Sequence, residues 1–187
     1  QIEPSWEFHV VEGESHFLEQ QICDGLVDVG LFPTPIYSQD LESYPVLDEQ
    51  ILLAISVENK KAIAIADSLM TGDGIREIAP FGAFPFILLR EGLKLRTLVN
   101  RLCQAECFVP KAVIGSETLD SCRSLVEDDY GITFLPSTLN RKGDDDKVKF
   151  YPLASKLCFR QLVLVARSDR AKRFHLSEVA HIMLQFL

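Results

Sequence analysis

The chain has 187 residues, 47% hydrophobic and 25% charged, a composition that is typical of a globular protein with a buried core and disfavours disorder. Its formal net charge of −8 argues against a nucleic-acid-binding surface, because phosphate neutralisation needs clustered Lys and Arg. The five cysteines are scattered and odd in number, no signal peptide opens the chain, and no apolar run is long enough for a membrane span. We therefore predict a soluble cytoplasmic protein with reduced thiols.

Residues 8–32 predict a strand, a tight turn, a helix and a second strand. The first strand, Phe8–Val11, ends before Gly13, where the chain is expected to turn. Ser15 then caps the predicted helix, which ends near Gly25, a residue free to adopt positive φ. One face of this helix is apolar at every fourth position, at Leu18, Ile22 and Leu26. Strands joined through a helix favour parallel pairing and bind ligands beyond their carboxyl ends, so this unit predicts a binding edge.

The next region predicts a long central strand. Pro33-Thr34-Pro35 forces an extended exit from the preceding strand, because each proline restricts the residue before it. Val46–Ser56 contains a continuous apolar run that is typical of a strand buried on both faces. Ala62–Leu69 is consistent with a short helix, and Gly72-Asp73-Gly74 indicates a turn.

Residues 84–136 repeat the strand and helix pattern. Phe84–Leu89 is a buried strand, and the turn after it opens the clearest amphipathic helix of the chain. The apolar face of that helix lies at Leu95, Leu98, Val99 and Leu102. Ala112–Gly115 begins a strand that runs into Ser116, the predicted start of a capped helix. Gly131–Pro136 ends this second set of strands, which we also predict to be parallel.

The last part of the chain predicts a charged loop, a strand and a helix. The charge run at 141–149 is typical of a solvated loop. Phe159–Arg167 is a long buried strand, and the closing helix has one apolar face, at Leu176, Val179, Ala180, Met183 and Leu187. Strands and helices thus alternate along the chain, which indicates an α/β fold.

Six segments, in their order and spacing, resemble the effector-binding region of LysR-type transcriptional regulators over almost the whole chain. These segments read HVVEGES, DGLVDVGLF, YPVLDEQILLAIS, REGLKLRTLVNRL, ETLDSCRSLVEDDYGITFLP, and YPL followed by RQLVLVARSD. The sequence departs from the family pattern at Asp128-Asp129-Tyr130, where a small residue and a glycine usually precede the position of Gly131.

The resemblance implies a two-subdomain, periplasmic-binding-protein-like (type 2) α/β fold with mostly parallel sheets. Subdomain I is then predicted as residues 1–82 with 158–187, and subdomain II as residues 83–157. A small-molecule effector is expected in the cleft between them.

The resemblance also implies an N-terminal winged helix-turn-helix DNA reader, a linker helix, and a first strand and helix of the regulatory domain, none of which precedes Gln1. Loss of that first strand would expose a sheet edge, which proteins avoid. We expect either that Gln1 is not the biological start or that another chain or segment covers the edge.

Four residues are predicted to bind the effector. Ser15 and Ser116 open helices that follow strand ends, where hydroxyls and free amides suit carboxylates; the alternative for both is helix capping alone. Thr34 follows a strand end and is otherwise a turn residue. Arg90 follows the first strand of subdomain II and could pair with an anionic effector; its alternative is a surface salt bridge.

Signals for catalysis, metal binding and redox sensing are weak. The sequence lacks the motifs of nucleophilic serine, zinc and phosphate-loop enzymes, and its four histidines are not grouped at ligand spacing, so we predict no metal and no cofactor. Peroxide-sensing family members place a reactive cysteine two residues after a glycine. Here Lys94 fills that slot after Gly92, although Cys103 matches the resolving position, and we predict no thiol switch of that kind.

The resemblance favours a regulatory module that binds a small, anionic metabolite and changes the arrangement of attached DNA readers as a homodimer or tetramer. DNA would be contacted only through the missing N-terminal domain. A solute receptor of a transport system is the alternative on the same fold, and an enzyme is a third, since a fold does not fix function.

Overall fold

The computed structural model describes residues 9–140, 146–171 and 175–183, with the backbone alone for 182 and 183. Contacts divide the chain into two compact units, which comprise residues 1–48 with 160–187, and residues 49–159. The predicted boundaries at 82 and 158 instead assign residues 49–82 to the first subdomain, and they stay a prediction. Phe8, the loop residues 141–145 and Leu187 lie outside the described residues.

Five α-helices and nine strands make up the described regular structure, together with short 3₁₀ turns. The helices are α1 (Ser15–Cys23), α2 (Lys60–Leu69), α3 (Lys94–Ala105), α4 (Leu119–Glu127) and α5 (Leu176–Met183). The strands are β1 (Val29–Pro33), β2 (Leu41–Ser56), β3 (Met70–Thr71), β4 (Gly74–Ile75), β5 (Pro85–Leu89), β6 (Lys111–Ser116), β7 (Thr133–Pro136), β8 (Val148–Tyr151) and β9 (Phe159–Arg167). Within the described ranges, no helix is long and apolar enough to cross a membrane.

The first unit is built on β1 and β9, which pair antiparallel with Val29 opposite Ala166. β9 also pairs with β2, so it lies between the other two strands. Helix α1 packs on this sheet through Leu18 and Ile22, and the small core consists of Ile22, Phe32, Val163 and Val165. Leu26, the third predicted apolar position, lies beyond the helix end at Cys23 and is 72% exposed, so the prediction is wrong there. The strand predicted at Phe8–Val11 is wrong for its described residues 9–11, which form no strand. Val10 is 85% exposed there, so its side chain is not buried as that of a core strand would be.

The second unit contains the larger core and the parallel pair β5 and β6. Strands β7 and β8 both pair antiparallel with the second half of β2. A parallel bridge joins Phe86 to Ile132 and thus links β5 to the residue before β7. The fully buried run of β2 that was predicted from sequence lies at the centre of this core, at Ile51, Leu53, Ala54 and Ile55.

The mostly parallel sheets predicted from sequence are not confirmed. The ladders β1–β9, β2–β7 and β2–β8 are antiparallel, whereas β5 and β6 are parallel. The difference has a physical reason. Parallel neighbours need a crossover, which α3 supplies between β5 and β6, whereas the other pairs join strands that are distant in sequence and run in opposite directions.

Glycine at position 131 allows the link between β5 and β7. The Ile132 amide donates to the Pro85 carbonyl at 2.9 Å, and the Ile87 amide donates to the Ile132 carbonyl at 2.9 Å. A Cβ on Gly131 would lie only 2.6 Å from the Pro85 oxygen. The close approach of these two backbones therefore depends on the missing side chain.

The helix caps differ from the predictions. Glu14 occupies the N-cap of α1, Ser15 is the first helical residue, and no side-chain cap is seen for this helix among the described residues. In α4 the capping residue is Thr118, whose hydroxyl accepts from the Ser121 amide at 3.2 Å. The Ser15 and Ser116 caps were wrong because the helices begin one residue earlier and two residues later, respectively, than a cap there would require.

Three helix ends carry residues with left-handed backbone. Gly25 follows α1 with φ of 74°, as predicted, and Cys107 and Asp129 follow α3 and α4 with φ of 56° each. The Asp129 carboxylate accepts from the Asn59 side chain at 3.1 Å. A side chain with a Cβ is strained in this conformation, so the last two positions carry a conformational cost.

Replacing the observed cap should destabilise the chain more than replacing the predicted one. Thr118→Ala removes the acceptor of the Ser121 amide and should lower the free energy of unfolding by about 1 kcal/mol. Ser15→Ala is the matched control and should change it by less than about 0.5 kcal/mol, because the Ser15 hydroxyl makes no cap. Urea unfolding followed by circular dichroism measures both. Equal losses in the two variants would contradict the assignment of the caps.

Removing the Cβ at position 107 should stabilise the chain. Cys107 is exposed and left-handed, so Cys107→Gly should raise the free energy of unfolding by about 0.5–1 kcal/mol. Cys107→Ala keeps a Cβ in the same backbone conformation and serves as the control, with no gain expected. The measurement is urea unfolding under reducing conditions. A loss of stability in the glycine variant would show that the left-handed backbone is not strained.

Candidate functional site

The second unit brings two of the predicted residues together. Leu89 lies opposite Ser116 in the parallel pair of β5 and β6, and the Arg90 amide donates to the Ser116 carbonyl at 2.8 Å. Both residues therefore stand at the carboxyl ends of neighbouring parallel strands, where α/β sheets bind ligands. Ser116 is 7% exposed, whereas the Arg90 side chain reaches solvent.

The Ser116 hydroxyl is engaged inside its own turn. It donates to the Thr118 carbonyl at 3.1 Å and accepts from the Thr118 amide at 3.4 Å. It also hydrogen bonds the Cys122 thiol, which partly opposes the rise in the pKa of Cys122 that burial causes. Ser116 thus shapes the loop before α4, and Arg90 is the more accessible member of the pair.

A network around Arg96 holds the loop between β5 and α3. Its Nη1 donates to the Leu89 carbonyl at 3.0 Å, and its Nη2 lies 2.7 Å from Glu91 Oε1. Its Nε donates to Asn100 Oδ1 at 2.9 Å, and Asn100 Nδ2 donates to Glu91 Oε2 at 3.3 Å. This network was not predicted from the sequence, in which the i, i+4 spacing of Arg96 and Asn100 is its one visible sign.

A small cavity of about 10 Å³ lies beside this network. Its lining consists of Leu88, Leu89, Leu95, Arg96, Val99, Thr133 and Phe134. The Thr133 hydroxyl donates to the Ile87 carbonyl at 2.6 Å, so its donor is satisfied within the sheet. The volume suits about one water molecule and not an organic effector.

The first unit contains the other two predicted residues, Ser15 and Thr34. Ser15 begins α1 and is half-buried, and its hydroxyl takes part in none of the described hydrogen bonds. Thr34 directly follows β1, and its amide donates to the Gln161 carbonyl at 2.8 Å. No described hydrogen bond joins Ser15 to Thr34, so the structure does not connect this pair as it connects Arg90 and Ser116.

A buried carboxylate on α1 holds the loop after β1. Glu19 is 3% exposed, and its Oε2 accepts from the Tyr37 amide at 3.1 Å. One turn later the Cys23 thiol donates to the Ser38 hydroxyl at 3.4 Å. Glu19 was not predicted from the sequence either, since it stands beside the apolar positions of α1 and belongs to no motif.

Burial limits the reactivity of most of the thiols. All five cysteines are free, and three of them, Cys103, Cys122 and Cys158, are buried. Burial raises the pKa of Cys103 to about 12, so almost none of it is thiolate at neutral pH. Among residues 9–140, 146–171 and 175–183, no three His, Cys, Asp or Glu side chains come together as metal ligands.

The chain is similar to bacterial regulators in sequence and in structure. The uncharacterized HTH-type transcriptional regulator YcgK of Bacillus subtilis (strain 168) is 29% identical over 176 residues, which are 89% of this chain and 54% of YcgK. An OxyR cysteine mutant of Corynebacterium glutamicum superimposes with a TM-score of 0.73 at 21% identity, covering 97% of this chain and 55% of that one. The effector binding domain of QuiR in complex with shikimate gives a TM-score of 0.65 at 17% identity, covering 83% of this chain and 69% of that domain.

The structural similarities confirm the predicted periplasmic-binding-protein-like α/β fold, and the chain spans about half the length of the curated relatives it matches. The family model described as the LysR substrate binding domain matches residues 3–187. This match covers nearly the whole sequence, and the chain therefore belongs to the LysR substrate-binding domain family.

Proposed function

We propose that the chain is the effector-binding module of a LysR-type transcription factor and that it recognises a small organic anion. The observation that carries the proposal is the pair Arg90 and Ser116 at the carboxyl ends of parallel strands, within a chain of this family. An exposed guanidinium at such an edge can pair with a carboxylate through two parallel N–H···O bonds. Ser15 and Thr34 are the proposed contacts in the first unit.

The proposed mechanism is a shift between conformations. A ligand changes the arrangement of a regulator only if it binds one conformation more tightly than another. The DNA reader would lie in a different part of the full-length protein, as the helix-turn-helix names of the curated relatives suggest. A cytoplasmic location and assembly as a homodimer or tetramer belong to the same proposal.

The family match favours a regulator over the other two functions considered. The curated relatives are named transcriptional regulators, which supports regulation against solute transport. An enzyme would need a nucleophile, base or metal placed near a bound substrate. The described residues around Arg90 and Ser116 instead form a hydrogen-bonded scaffold without such a constellation.

A thermal-shift screen with shikimate, benzoate, glutamate and citrate tests the proposed effector class. A ligand at a hundred times its dissociation constant adds about 2.7 kcal/mol to stability, which raises the melting temperature measurably. Arg90→Ala should weaken the binding of the active compound about tenfold, through loss of a charge-assisted bond. Arg101→Ala, which removes an exposed arginine from α3 of the same unit, is the control and should leave binding unchanged.

The same compounds assign the remaining contacts and the competing functions. Ser15→Ala and Thr34→Ala should each weaken binding if the first unit contributes as proposed, and Ser116→Ala tests the loop before α4. If no carboxylate stabilises the chain, or if binding depends on none of the four residues, the proposal is wrong. Turnover of a bound compound would favour an enzyme.

Mild peroxide should not oxidise a pair of thiols in this chain to a disulfide. Lys94 stands in the slot of the reactive cysteine and Cys103 is buried, so no pair of thiols should be lost on treatment. Alkylation with iodoacetamide at neutral pH should label the exposed Cys107 first and leave Cys103 unlabelled until the chain unfolds. Mass spectrometry of labelled peptides measures both. Reversible loss of two thiols with a change of conformation would instead indicate a redox sensor.

A further inference from the structure

We infer that Arg96 is a positioning residue for the effector site, which fixes the loop between β5 and α3 so that Arg90 is presented to an anion. This inference rests on the proposed function and extends it to a residue that touches no ligand. The loop consists of residues 90–93, between the end of β5 and the start of α3. Arg90 is its first residue, so its position depends on what holds the neighbouring backbone.

The guanidinium of Arg96 binds the loop on both sides of Arg90. Its Nη1 reaches the carbonyl of Leu89, directly before Arg90, at 3.0 Å. Its Nη2 reaches the carboxylate of Glu91, directly after Arg90, at 2.7 Å. One planar group thus ties together the two neighbours of the proposed anion-binding residue. The Arg90 amide is held separately by the Ser116 carbonyl at 2.8 Å.

Asn100 closes the network into a ring. It accepts from Arg96 Nε at 2.9 Å and donates to the second oxygen of Glu91 at 3.3 Å. Both carboxylate oxygens of Glu91 are therefore engaged, and the Arg96 side chain is only 15% exposed. A closed ring of this kind restricts rotamers of all three side chains, because moving one breaks contacts to the other two.

Lysine cannot replace arginine in this ring. Three acceptors, the Leu89 carbonyl, Asn100 Oδ1 and Glu91 Oε1, lie around one flat guanidinium with a fixed fork of donors. A lysine keeps the positive charge but carries its donors on a single nitrogen at the end of a flexible stem. Arg96→Lys therefore separates the geometry of the fork from its charge. If this variant binds the anion more weakly, the lost binding free energy is that needed to order the loop when the ligand binds.

The opposing explanation is that Arg96 only stabilises the start of α3. Both explanations predict a lower melting temperature for Arg96→Lys, so stability alone does not distinguish them. They differ in whether the effect on ligand binding passes through Arg90. If Arg96 acts by positioning Arg90, its substitution should have little effect on binding once Arg90 has been removed.

The experiment measures amide hydrogen exchange of residues 90–93 and the dissociation constants of shikimate, benzoate, glutamate and citrate, each tested singly. Arg96→Lys should speed amide exchange in the loop and weaken the binding of the active carboxylate by about tenfold. In an Arg90→Ala background, the same substitution should change the dissociation constant by less than about twofold. Glu91→Gln is a second variant with the same expected direction, chosen because its side chain is 71% exposed and its replacement threatens folding less. Arg101→Lys is the matched control.

Each outcome decides between the explanations. Unchanged loop exchange in both Arg96→Lys and Glu91→Gln overturns the inference. Faster loop exchange with unchanged carboxylate binding also overturns it, while the proposed function stands. Equal weakening in the presence and absence of Arg90 assigns Arg96 a structural role only. If none of the four carboxylates binds the unchanged chain at millimolar concentration, the proposed function fails and the inference fails with it.

Discussion

The parallel pairing of β5 with β6 is the constraint on which the candidate site depends. Two parallel neighbours cannot be joined by a tight turn, so the chain must leave the sheet, form α3 and return. This crossover places the loop after β5 beside the end of β6, where the Arg90 amide meets the Ser116 carbonyl. It also places Arg96, in the first turn of α3, within reach of the strand that the helix has just left. The crossover through α3 therefore positions both the candidate site at Arg90 and Ser116 and the Arg96 network that holds its loop.

Most of the secondary structure could be predicted because helices and strands follow the spacing of apolar residues along the chain. The strand Phe159–Arg167 has the predicted limits, and the apolar run in β2 is buried as expected. The first helix lies where it was predicted, although it begins at Ser15 itself and ends at Cys23. Strand direction could not be predicted in the same way. A buried strand has the same composition whether its neighbour runs parallel or antiparallel, so the pattern within β2 contains no information on β7 or β8.

The candidate site was predictable only in part, for a related reason. Arg90 and Ser116 could be proposed from their place after strands, because the ends of parallel strands meet at one edge. The ring of Arg96, Glu91 and Asn100 depends on side-chain directions and on a backbone carbonyl, which the sequence does not display. Buried Glu19 was missed for the same reason, since its partner is the backbone of Tyr37. Interactions with main-chain atoms leave little trace in residue type.

The contact between Gly131 and Pro85 limits which residues can occupy position 131. Any Cβ at position 131 would lie 2.6 Å from the Pro85 oxygen, so the close spacing of β5 and β7 requires a residue without a side chain there. The adjacent Tyr130 is 57% exposed and carries no such restriction. Neighbouring positions of one turn thus differ in the space they leave for a side chain: Tyr130 extends into solvent, whereas a Cβ at position 131 would meet the backbone of β5.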